Sequence, residues 1–114
     1  MATNRYTELR EQHCADYDRL FPQLLEQTYW STAQLRDERE VRLRKLLRVA
    51  KERSPWHATR LASVSSDSFD VEDLHRLPSM TKGGLMDSFD AISTDPRVTL
   101  AVANGHVGGL ISGN

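Results

Sequence analysis

Hydrophobic residues recur along most of this chain at intervals of three and four rather than two, the period of helices with one buried face. Residues 4 to 21 carry Tyr6, Leu9, Cys14, Tyr17, Leu20 and Phe21 among charged neighbours, a loose helical spacing. Pro22 predicts the start of a new turn, because proline fits a first helical position but lacks the N–H that a helix interior uses. Leu24, Leu25, Tyr29 and Trp30 follow as a short apolar cluster, so residues 4–30 read as a helical hairpin or an arm.

The clearest helix spans 31–53. Ser31 or Thr32 can cap it, and Leu35, Leu43, Leu46, Leu47 and Ala50 form one apolar stripe interrupted by Arg39 and Arg42. Asp37, Glu38 and Glu40 lie toward its start and Arg48, Lys51 and Arg53 toward its end, an order that suits the backbone dipole. Glu38 with Arg42 and Glu40 with Arg44 have the i,i+4 spacing of ion pairs, each worth about 0.3 kcal/mol when exposed.

Residues 54–114 break into short helices and turns. Ser54 and Pro55 predict a cap and first position for a helix carrying Trp56, Leu61 and Ala62. The serine-rich stretch Ser63 to Phe69 predicts a reversal, and Asp70 predicts the cap of a one-turn helix ending before Leu77-Pro78. Thr81 can cap a further helix whose face is Leu85, Met86 and Phe89; these residues are expected to pack on the Leu43/Leu46/Leu47 stripe or on a downstream domain. Thr94-Asp95-Pro96-Arg97 predicts a turn built around Pro96. Val98, Leu100, Ala101, Val102, Val107 and Leu110 then predict one more helix or an extended segment, with Gly105, Gly108 and Gly109 weighing against the helix. No strand alternation persists elsewhere, and the expected class is all-α: one helical N-terminal region over 1–114.

Composition narrows the picture. The 114 residues suit one small core rather than two, and an aromatic fraction of 7% with a mean hydropathy of −0.55 predicts a modest, mainly aliphatic one. A single cysteine, Cys14, excludes an internal disulfide and makes the cytoplasm the default expectation. The acids and bases of the first twenty residues argue against a secretory leader. The uncharged stretch Val98 to Asn114 is shorter than the roughly 20 apolar residues of a membrane span. The net charge of −1 conceals two blocks: Arg36 to Arg60 holds nine Lys or Arg against four Asp or Glu, and Ser65 to Pro96 holds two against seven. Mutual compensation of these blocks is the plainer reading; a basic surface for an anionic partner is the sharper one.

Residue chemistry alone yields no catalytic, cofactor-binding or metal-binding site. His13, His57, His75 and His106 lack the i,i+3 or i,i+4 spacing of helical metal ligands. Cys14 adjoins His13, but consecutive helix positions point about 100° apart, which is poor geometry for a nucleophile and its base. Lys82 precedes Gly83-Gly84, the reverse of a phosphate-binding loop, and the paired glycines suit close packing or flexibility. Trp30 and Trp56 flank the long helix and read as core residues before partner anchors. Arg39, Arg42, Arg44, Lys45, Arg48 and Lys51 form a basic face, but interleaved acids and the lack of an aromatic platform disfavour nucleic acid.

Taken in order, several pieces carry a family likeness over residues 30 to 103. A helix of the type Leu43-Arg44-Lys45-Leu46-Leu47-Arg48-Val49-Ala50 is followed by Ser54-Pro55-Trp56, then a short acidic helix. Next come Leu77-Pro78-x-x-Thr81-Lys82-x-x-Leu85 and the segment Phe89 to Thr99. This order resembles the N-terminal portion of phenylacetate-CoA ligase-like proteins, a branch of the adenylate-forming enzymes. The resemblance implies a larger α/β parent that activates a carboxylic acid with ATP and Mg as an acyl-adenylate and passes the acyl group to coenzyme A. In that family the phosphate loop, nucleotide site and catalytic lysine lie downstream of the part matched here. The chain is therefore expected to be inactive alone and to need no cofactor itself. Its expected partner is the remainder of a ligase, or a second copy through an exposed apolar stripe. A stand-alone interaction module with a basic face and a structural subunit of a split ligase are the alternatives.

Overall fold

A computed structural model describes residues 4–113; Met1 to Thr3 and Asn114, which the expected 1–114 region includes, lie outside the described residues. The protein is all-α: 73% is helical, with no strand among the described residues. The elements are α1 (Arg5–Gln27), α2 (Thr32–Arg53), α3 (Pro55–Arg60), a 3-10 helix (Val71–Arg76), α4 (Lys82–Asp87), α5 (Phe89–Ile92) and α6 (Leu100–Ser112). The chain divides into two compact units, Met1–Glu38 and Arg39–Asn114, with the boundary inside α2.

In the first unit, the expected break at Pro22 does not occur: α1 runs through it as one helix of 23 residues. A proline costs the helix one backbone hydrogen bond, but turns continue on both sides of it, and the exposed interior leaves the freed carbonyl to solvent. Asn4 accepts from the Tyr6 N–H at 3.0 Å at one end, and at the other the Thr28 hydroxyl donates to the Leu25 carbonyl at 2.6 Å. The anticipated Leu24–Trp30 cluster does not bury itself. Tyr29 is 90% exposed, Leu24 and Leu25 are exposed, and Trp30 is half-buried.

Of the two candidate caps for α2, Ser31 is used. Its hydroxyl accepts from the Gln34 N–H at 3.2 Å while the Gln34 side chain accepts from the Ser31 N–H at 2.9 Å, a reciprocal capping box. No acid falls in the first turn of α2, whereas Lys51 and Arg53 occupy the last. The dipole is therefore complemented only at the C-terminal end, since its field is felt within the terminal turn.

The core lies in the second unit and consists of Leu47, Leu61 and Phe69, with Leu43, Ala50, Val64 and Leu77 packed around it. It is as small as composition predicted. Both tryptophans, expected in a core, are half-buried instead. Trp56 lies beside its neighbours, with the Arg60 guanidinium 5.3 Å from its ring centre and the His57 ring edge-on at 4.9 Å. A large amphipathic ring can cover a small core from the side without entering it.

Capping follows the sequence closely. Ser54 accepts from the His57 N–H with Pro55 in the first turn of α3. The Asp73 carboxylate accepts from the Asp70 N–H at 3.1 Å, and Thr81 accepts from the Gly84 N–H at 3.0 Å. The helix after Thr81 is interrupted, however: Ser88 leaves helical geometry at φ −115° and ψ 19°, dividing α4 from α5. The proline turn is closed by the Val98 N–H on the Asp95 carbonyl at 2.9 Å, one residue later than expected.

The glycine-bearing tail resolves as a helix. Thr99 caps α6 by accepting from the Val102 N–H, Gly113 ends it at φ 75°, and the Asp90 carboxylate accepts from the Leu100 N–H at 2.8 Å. Gly113 needs that left-handed conformation, which only glycine takes without steric cost.

The glycine pair of α4 separates into two roles. A Cβ on Gly84 would sit 3.2 Å from the Thr81 cap oxygen, whereas one on Gly83 would meet nothing within 4 Å. Gly83→Ala is expected to raise stability by about 0.5–1 kcal/mol through lower unfolded-state entropy. Gly84→Ala is expected to return less than half of that gain because the cap must shift. Urea unfolding of the two variants side by side checks this; equal gains would show that Thr81 moves freely.

Candidate functional site

The second unit holds a shallow apolar cleft of about 390 Å³ lined by Leu46, Val49, Ala50, His57, Leu85, Phe89, Ile92, Ser93 and Thr94. Its origin is local. Residues of α2 four apart share a face, so Leu43 and Leu47 turn into the core while Leu46, one position off, lies on the flank and is 65% exposed. Leu85 of α4 and Phe89 of α5, on either side of Ser88, line the cleft together with Leu46. Of the set Leu85, Met86 and Phe89, expected on the Leu43/Leu46/Leu47 stripe or on a downstream domain, Leu85 and Phe89 line this cleft with Leu46 and Met86 does not. Leu85 and Phe89 face Leu46 across an open cleft, whereas Met86 turns toward Ala91 and Leu100 in a second depression.

Ser54 caps α3 from a buried position. It is 1% exposed, and its hydroxyl donates to the Ala91 carbonyl at 3.3 Å while accepting from the His57 N–H at 3.3 Å, tying the start of α3 to α5. His57, on the rim, has its pKa held below the ordinary imidazole value, first by burial and then by the adjacent Arg60 charge.

The two charge blocks meet, as mutual compensation requires. Arg44 places Nη2 3.0 Å from Asp70 Oδ1 and donates from Nε to the Phe69 carbonyl at 3.0 Å; Arg48 reaches Asp67 at 3.2 Å. The Lys51 ammonium donates to the Val64 carbonyl. Arg44 also lies 3.8 Å from Glu40, the predicted i,i+4 partner. These contacts fold the serine-rich reversal and the acidic 3-10 helix onto α2. The exposed Arg48–Asp67 pair itself is worth no more than about 1 kcal/mol. Arg44, Arg48 and Lys51 of the basic face are thereby engaged within the chain.

The remaining candidates scatter. His13 and Cys14 lie along an open apolar face of α1 with Tyr6, Leu9 and Tyr17, and Cys14 is exposed. His75 sets Nδ1 against the Glu72 carbonyl, and His106 is exposed on α6. No group of three or more His, Cys, Asp or Glu that can hold a metal occurs among the described residues. Lys82 opens α4 as an exposed residue. Ser112 and Gly113, the one glycine–serine pair near the end, terminate a helix.

Two features escaped the sequence. Phe69 closes the core from a serine-rich turn, where the only signal was a single large apolar residue among small polar ones. The cleft itself brings Leu46 of α2 together with Leu85 and Phe89, about 40 residues later in the chain, which no local pattern announces. No helix among the described residues is long and apolar enough to cross a membrane. No family model, curated protein or solved structure matches the chain.

Proposed function

We propose that this chain is the helical N-terminal part of a phenylacetate-CoA ligase-like adenylate-forming protein and serves there as a structural and docking segment rather than as the catalyst. The observation that carries the reading is the order of the joints along the sequence: Leu43 to Ala50, Ser54-Pro55-Trp56, the acidic turn, and Leu77-Pro78-x-x-Thr81-Lys82-x-x-Leu85. Two features of the fold support it. Each of the polar residues Ser54 and Thr81 in that order caps a helix, so the motif corresponds to a series of structural joints. In addition, α6 carries no charged residue yet exposes Leu110 and Ile111, the latter to 82%, an uncovered apolar surface of the kind that a larger body buries.

Under this reading acid activation takes place on residues beyond 1–114. Adenylation needs backbone donors and a metal around the transferring phosphoryl group, and a helical joint segment provides neither. Purified chain is expected to give no ATP–pyrophosphate exchange above buffer with aryl or fatty acids and Mg present; acid-dependent exchange would refute the structural role. Co-expression with the remainder of such a ligase is expected to yield a complex that co-purifies, with α6 protected from amide exchange. Self-association without the ligase remainder would instead favour the second-copy alternative. The basic-face module is the weaker reading because Arg44, Arg48 and Lys51 already hold partners within the chain.

A further inference from the structure

We propose that His57 and Arg60 form a proton-sensitive latch that fastens the Leu77–Thr81 segment to α3: neutral His57 helps hold Arg60 on the Pro78 carbonyl, and a protonated His57 releases it. Arg60 makes three kinds of contact. Its Nη2 donates to the Pro78 carbonyl, its guanidinium carbon stands 5.3 Å from the Trp56 ring centre, and its Nη1 lies 3.5 Å from His57 Nδ1. A guanidinium only donates, so His57 must present a lone pair at Nδ1 and carry its proton on Nε2. The Arg60 Nε is buried and meets no acceptor among the described residues. The hold on Arg60 is therefore incompletely satisfied, and loss of the Nδ1 acceptor removes a substantial share of it.

Protonation adds H⁺ to Nδ1. That step removes the acceptor and sets two cations against each other at the same place. Among the described residues no carboxylate lines the cleft beside His57: α2 presents Leu46, Val49 and Ala50 there, α4 presents Leu85, and α5 with its following turn presents Phe89, Ile92, Ser93 and Thr94. Arg60 is the charged group that acts on His57, and it disfavours the imidazolium, as burial also does. The folded-state pKa thus lies below the unfolded value of 6.5. In the interval between them the unfolded chain binds more protons, so stability rises with pH there. The latch is closed at pH 7 and opens as pH falls through the depressed folded-state value.

The test is an NMR titration of the full chain from pH 7.5 to 4.5, following the His57 ring and the Ser79 amide, whose nitrogen shares a peptide bond with the Pro78 carbonyl. The Ser79 amide is expected to move with the His57 midpoint, below 6.5. His57→Gln is expected to abolish that movement, which separates it from any effect of His75. Arg60→Gln is expected to raise the His57 midpoint toward 6.5 and uncouple Ser79 from it. A Ser79 amide that stays fixed in the unmodified chain while His57 titrates, or one that still moves in His57→Gln, overturns the proposal. The first of these outcomes needs no variant to fold.

Discussion

Leu61→Ala is expected to cost about 2–5 kcal/mol, enough to leave the second unit largely unfolded in modest denaturant. Leu61 is 1% exposed and, among the described residues, forms the buried apolar core together with Leu47 and Phe69. It sits where α3 ends, its N–H bonded to the His57 carbonyl at 2.8 Å, and contacts the α2 stripe and the reversal that carries Phe69. Removing its side chain takes away burial and leaves a void that Leu47 and Phe69 cannot refill. Small domains are stabilised by only some 5–15 kcal/mol in total, so the loss is a large fraction. Urea unfolding followed by tryptophan emission measures it. Leu61→Met, which conserves volume, is expected to cost less than about 1.5 kcal/mol. A loss below about 1 kcal/mol for the alanine variant would mean that the core is not centred on Leu61.

Ser54→Ala is expected to cost about 2 kcal/mol, the largest effect for a polar residue here. The hydroxyl has two tasks in a buried place: it caps α3 and it satisfies the Ala91 carbonyl across the gap to α5. An N-cap alone is typically worth about 1 kcal/mol. Loss of the part-buried bond to the carbonyl of Ala91, itself an exposed residue, adds on the order of 1 kcal/mol. Thr81→Ala is the internal comparison. Thr81 caps α4 from an exposed position, where water can replace its hydroxyl, so its loss is expected to cost at most about 1 kcal/mol. Chemical denaturation of both variants decides the matter; equal costs would show that Ala91 finds another donor.

These expectations differ in how far sequence alone leads to them. Ser54 and Thr81 are legible as caps because capping is local: a hydroxyl three residues before a free N–H, with Pro55 marking the first turn, is visible in four letters. Mutual compensation of the charge blocks was legible for a similar reason, since a basic helix and an acidic stretch joined by a short reversal have few places to go. The burial of Ser54 was not legible. It depends on α5 lying over α3, and the Ala91 carbonyl is distant in sequence. Nor was the share of Leu43, Leu46 and Leu47 between core and cleft, because a stripe of leucines states which face is apolar and not which partner covers each edge.

Where the sequence misled, a local rule met an environment it does not describe. Pro22 predicts a new turn, yet one missing hydrogen bond is tolerated in a solvent-exposed helix already nucleated on both sides. Three glycines in α6 were weighed against a helix, yet Thr99, Asp90 and Gly113 fix its two ends. The tryptophans were assigned to the core by size, and the core proved too small to enclose them.

By itself, then, the sequence determined the helical class, the extent of α2, the capping joints at Ser54, Asp70 and Thr81, with Ser31 or Thr32 before α2, and the attraction between the two charge blocks. All of these follow from interactions within a few residues or from net charge, which do not depend on how the chain closes. Tertiary structure alone decided that Phe69 completes the core, that Leu46 opens onto a cleft opposite Leu85 and Phe89, and that Asp90 tethers the start of α6. It also decided that Arg60 joins His57 to Pro78. Those outcomes depend on side chains 10 or more residues apart meeting in space, or on which flank of a stripe remains uncovered once a three-residue core has formed.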